Sequence, residues 1–273
     1  ASASMKAQEQ LQNLRARRAS LRADRAGRQA LATARQEIMQ ALHELQALTT
    51  LQPTLERHAL AGSAWKRLAL IERRAGDAPA ELAALRQSAD RYQASEALAL
   101  QARDSDYFYP ALNRMGLEWL VNQGQRGWVG FDAERVDQLR RSLQARVQAA
   151  PDFFSVVAVT ELDMLLALSQ RRLAANAPAL AAAYADVHAR VQAPWLWASV
   201  ADQARFVLEP MLATAEPSER DAAAQLLQRL RGYAGLDPDL ALPSPAQATR
   251  NGPQVVIWHT PADATQAAAV VAA

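Results

Sequence analysis

The chain has 273 residues, a formal net charge of +2, no cysteine, ten glycines and thirteen prolines. About sixty residues are alanine, well above ordinary usage, and the apolar half is dominated by Ala and Leu, with Val and Ile sparse. This composition favours an all-α fold over an all-β or parallel α/β one, and the missing cysteines exclude a disulfide scaffold, a thiolate metal site and a cysteine nucleophile.

Ala1–Ser4 before Met5 reads as a cloning remnant, and no secretory or membrane-spanning pattern follows, so a cytoplasmic location is expected. Residues 5–50 are predicted as one long N-terminal helix, with Leu31, Ile38, Leu42 and Leu45 forming its apolar stripe. Its first half is basic: between Lys6 and Arg28 lie seven Lys or Arg against Glu9 and Asp24. Residues 51–235 are predicted as a helical-repeat domain. Thr54 opens a helix that runs to Ala75 and stops at Gly76, and Asp77 with Pro79 opens the next. Asp104–Asp106 caps a helix over 107–122, and Asp132 caps the one that follows the Gly124–Gly130 loop. Pro151-Asp152 starts the most apolar helix, from Phe153 to about Leu173. Asn176-Ala177-Pro178 opens another helix, and Trp195–Thr214 follows, to be kinked or shortened by Pro210. The last helix runs from Pro217 or Ser218 to Arg231. The helices fall into pairs over 54–102, 107–149, 152–193 and 195–231, joined by the short connections of antiparallel neighbours. An αα-hairpin solenoid is the expected architecture. Residues 236–253 read as a Pro-rich linker, and 254–273 as a short strand (254–260) with a low-complexity tail, which suggests that the chain is a fragment.

The run Leu60-Ala-Gly-Ser-Ala-Trp65-Lys-Arg-Leu68-Ala69, with Gly76 beyond it, resembles the first helix of a tetratricopeptide repeat. Trp65, Leu68, Ala69 and Gly76 occupy the matching places, whereas Glu72 stands where the repeat usually has Tyr. Asp106-Tyr-Phe-Tyr109-Pro110-Ala-Leu-Asn113 resembles the aromatic–Pro–x–x–Asn opening of repeats in the TRAFs-binding region. Such repeats occur in apoptosis-signal-regulating kinases and in bacterial conflict-system proteins, where they accompany caspase-like CHAT modules. The resemblance implies a regulatory scaffold whose partner is a protein, such as a caspase-like protease.

The residues themselves point to binding rather than catalysis. His43, His58, His188 and His259 are scattered and form no zinc motif, and the glycines form no phosphate-cradling loop, so no metal or cofactor is expected. Glu161 and Asp163 interrupt an apolar helix but, two residues apart, diverge to different faces. Pairing with Arg171, Arg172, Arg190 or Arg205 is their expected role. Trp65, Trp119, Trp195 and Trp197 are expected mainly in packing. Tyr107, Phe108 and Tyr109 cannot all face inward on one helix, so this segment, with Asn113, is the expected partner contact. The alternative is a nucleic-acid sensor, with Arg17, Arg18 and Arg22 on the basic helix tracking phosphates.

Overall fold

The computed structural model of the chain describes Gln12, residues 28–125 and residues 127–236, and the regular structure in these residues is helical. The elements are α1 (Arg28–Leu51), α2 (Leu55–Ala75), α3 (Ala78–Ala102), α4 (Phe108–Asn122) and α5 (Ala133–Ala149). They are followed by α6 (Phe153–Ser169), α7 (Leu173–Arg190), α8 (Pro194–Leu208), the single turn α9 (Met211–Thr214) and α10 (Pro217–Tyr233). The basic stretch with Arg17, Arg18 and Arg22, the linker and the 254–260 segment lie outside the described residues. No described helix is long and apolar enough to cross a membrane.

Four helices begin where a short polar side chain can satisfy an otherwise unpaired amide. Thr54, Asp77, Asp132 and Asp152 accept from the backbone N–H of Arg57, Ala80, Arg135 and Ser155 at 2.8–3.2 Å. At α6 the cap is reciprocal, because Ser155 Oγ also takes the Asp152 N–H at 3.0 Å. Two starts differ from the sequence expectation. The Asp104–Asp106 cluster does not cap α4: Asp104 accepts the Asp106 N–H at 2.8 Å and so closes the preceding loop, and Tyr107 enters α4 with no side-chain cap. Helix α7 starts at Leu173, well before Pro178, which lies inside it. Its cap is tertiary: the Glu219 carboxylate of α10 accepts the Leu173 and Ala174 N–H groups, both at 3.0 Å. At the other side of Pro210, the expected break is present, with α8 ending at Leu208 and α9 starting at Met211.

The most intimate packing joins α2 and α3, where small residues let the backbones approach. Ser88 and Ser95 of α3 donate to the carbonyls of Gly62 and Leu55 at 2.7 and 2.8 Å. A Cβ on Gly62 would stand 2.8 Å from the Tyr92 ring, so only glycine fits beneath it. Contact then passes from α3 to α4, from α4 and α5 to α6, from α6 to α7, and from α7 and α8 to α10. One apolar core runs through all of these helices, from Ile38 and Ile71 through Met115 and Leu165 to Trp197 and Leu230.

Charged groups inside the stack are paired. Glu72, at the place where the repeat usually has Tyr, is buried and takes a two-pronged bond from Arg35 of α1, with Nε–Oε1 at 2.6 Å. Arg57 is also buried and donates from Nη1 to the carbonyls of Leu48 and Gln52 at 3.0 and 2.6 Å, closing the C-terminal end of α1. Glu96 of α3 meets Arg114 of α4 and Arg135 of α5, and Arg135 bridges back to Glu118 at 3.0 Å.

Candidate interaction site

The first helix of each pair, α2, α4, α6 and α8, contributes one polar side chain to a common place. Lys66 of α2 donates to Asn113 Oδ1 of α4 at 2.9 Å and also to Gln203 Oε1 of α8. The Gln203 side chain in turn hydrogen-bonds the Glu161 carboxylate of α6. Asn113 spends its own amide on the Tyr109 carbonyl at 2.9 Å, one turn back on α4. The result is a relay from the lysine to the carboxylate through the Gln203 amide, with Asn113 as a second acceptor on the lysine, and it joins residues more than a hundred positions apart in sequence.

Lys66 and Glu161 keep only part of their surface in solvent. Burial, aided by the Arg67 charge, pushes the Lys66 ammonium down to about 7, against the pull of Glu161 and Asp202. Burial pushes the Glu161 carboxyl up to about 7, opposed by Lys66 and by the Gln203 bond. Desolvation outweighs mutual attraction in both groups. Below the lysine lies Phe206 of α8, with Lys66 Nζ 4.6 Å and Arg73 Cζ 5.9 Å from its ring centre.

The aromatic triplet divides as its helical spacing requires. Tyr107 and Phe108 are buried, at 7% and 6% exposure, whereas Tyr109 is 50% exposed. The Tyr109 ring stands edge-on to buried Tyr92, 6.2 Å between centres, so an exposed aromatic is held on a rigid base. Asn113 is buried and belongs to the relay rather than to the surface. Of the residues singled out in the sequence, the structure therefore brings Tyr109 and Asn113 together with Lys66, Gln203 and Phe206. Those last three carry no local sequence signal, since what joins them is the fold.

The carboxylates of α6 find partners other than the arginines expected. Glu161 joins the relay, and Asp163, on the surface, lies 3.8 Å from Arg140 of α5. The expectation looked toward α7 and α8, whereas α5 is the helix that flanks this side of α6. Trp119 and Trp197 are buried, but Trp195, expected in packing, is more than half exposed. His188 stacks on Tyr233 with 3.9 Å between ring centres, and His43 is exposed. Among the described residues no group of three or more His, Asp or Glu is placed to hold a metal ion.

A family model described as Tetratricopeptide Repeats-Sensor matches residues 3–118. This stretch covers the first complete helix pair, α2 and α3, and most of α4, and it supports a TPR-like repeat there. No curated protein and no solved structure matches the chain. These observations support a TPR-like helical repeat within residues 3–118, and such a repeat fits a helical scaffold for protein interaction.

Proposed function

We propose that the chain is a non-enzymatic regulatory module, an αα-hairpin solenoid that binds a protein partner at the surface around Tyr109. The observation that carries this reading is the exposed Tyr109 ring, fixed on Tyr92 and bordered one turn on by Asn113 and the Lys66 relay. A rigid half-exposed aromatic beside satisfied polar groups is the arrangement that anchors protein interfaces. The similarity of residues 3–118 to a repeat family described as a sensor supports a regulatory role. Within a bacterial defence system, a caspase-like protease is the partner that the resemblance to CHAT-associated repeats suggests, and such a module acts in the cytoplasm.

Co-purification with the products of neighbouring genes tests the reading. The wild-type chain retains a partner and Tyr109→Ala loses it while remaining folded. Retention unchanged by Tyr109→Ala, or a turnover abolished by Glu161→Gln or Lys66→Met, contradicts it.

A further inference from the structure

Besides Tyr109, two aromatic rings among the described residues stand well out of the surface, Phe154 at 37% and Trp195 at 56% exposure. Each occupies the second position of a helix, α6 and α8. These two helix starts meet, because the Phe153 ring centre lies 5.2 Å from that of Trp197 and 5.2 Å from that of Phe154. Phe153 and Trp197 pack with the core, and the neighbouring rings are presented outward. Large apolar side chains grouped at one end of a molecule mark an interaction surface.

The path of the chain points to what covers this surface. Helix α10 closes on Gly235, whose φ of 65° is the left-handed conformation of a helix stop. Leu236 donates its N–H back to the Arg231 carbonyl at 2.8 Å and packs against the core. A Cβ on Gly235 would stand 3.8 Å from Pro194 Cβ, so the backbone leaves α10 beside the residue that precedes Trp195. Residues 237–253, four of them proline, follow this exit point. A chain of that length reaches about 50 Å at most, far more than is needed to return to Trp195. Next comes Gln254-Val-Val-Ile-Trp-His-Thr260, with four apolar residues in a row and no Lys, Arg, Asp or Glu. An apolar run of this kind is stabilised by leaving water, and tethering holds it near the surface at an effective concentration on the order of millimolar.

We infer that the surface of Phe154 and Trp195 is the docking place of this chain's own Val255–Trp258 segment. The match is of apolar side chains to aromatic rings, without charge pairing on the segment's side. The inference is independent of the Tyr109 surface on α4, and neither stands or falls with the other.

The test uses the full chain with 5-fluorotryptophan at its six tryptophans, and Trp195→Phe assigns the Trp195 fluorine resonance. Because the chain has no cysteine, Thr260→Cys places a single nitroxide spin label beside the segment. The Trp195 resonance is expected to be lost by paramagnetic broadening and to return when ascorbate reduces the nitroxide. Ile257→Asp in the labelled chain is expected to keep the resonance visible, and Val256→Asp supplies the same comparison. A Trp195 resonance that the nitroxide leaves sharp overturns the inference. Broadening that persists unchanged in both Asp variants also overturns it, because the tether alone then accounts for the proximity. Mixing spin-labelled chain without fluorine and fluorinated chain without cysteine separates the remaining occupant. Broadening of Trp195 in that mixture assigns the surface to a second copy of the chain and contradicts docking within one chain.

Discussion

The relay holds two ionisable groups displaced toward each other, and this sets the dependence of stability on pH. Glu161 titrates at about 7 in the folded chain against 4.5 unfolded, so between those values the folded state holds the extra proton and stability falls as pH rises. Lys66 titrates at about 7 against 10.5, so above 7 the unfolded state holds the extra proton and stability rises with pH. The urea midpoint should pass through a minimum near pH 7. Glu161→Gln should remove the falling limb. Lys66→Met should remove the rising limb and, by deleting the cation that lowers Glu161, carry the fall to higher pH. A profile without a minimum, unchanged in both variants, contradicts this account. The adjacent aromatics give a second contrast. Phe108→Ala empties a buried site and should cost about 3–5 kcal/mol, whereas Tyr109→Ala, at a half-exposed ring, should cost about 1 kcal/mol or less. Thermal melts of the two variants check the difference.

At the scale of single helices, the start of α7 depends on a residue from α10. Glu219→Gln removes the charge and weakens the carboxylate that receives the Leu173 and Ala174 amides. We expect a loss of about 1 kcal/mol and faster hydrogen exchange confined to the first turn of α7. Uniform exchange along the helix would contradict this cap. The same residue shows why one boundary was hidden in the sequence. Thr54, Asp77, Asp132 and Asp152 act on amides three positions away, so the local pattern was sufficient to find them. Glu219 acts on amides about 45 positions away, and Pro178 in between looked like a start. The α2–α3 contact makes another prediction. Gly62→Ala drives a methyl into the Tyr92 ring and should cost about 1–3 kcal/mol by overpacking, part of which a smaller residue at 92 should recover in a double-mutant melt.

For the whole molecule, the helix pairs were readable because each buries a periodic apolar face and ends at a strong stop such as Gly76 or Pro210. The division of Tyr107, Phe108 and Tyr109 between core and surface was readable for the same reason, although which ring faces out required the fold. The relay was not readable. Lys66, Asn113, Glu161 and Gln203 lie on four separate helices, and no spacing in sequence reports their meeting. Glu72 shows the converse: a departure from the repeat pattern in the sequence is, in the fold, a buried partner for Arg35. The scaffold is thus tied by specific polar contacts between distant helices, and these position the exposed Tyr109 ring.

The most direct measurement of the central claim places a photo-crosslinking benzoylphenylalanine at position 109 in the expressed chain. A second chain carries it at Val129, which is 98% exposed on the α4–α5 loop and away from the relay. A protein-interaction scaffold with its contact at Tyr109 predicts a discrete protein adduct from position 109 and none of that size from 129. Absence of an adduct at 109, or the same adducts at both positions, would contradict it.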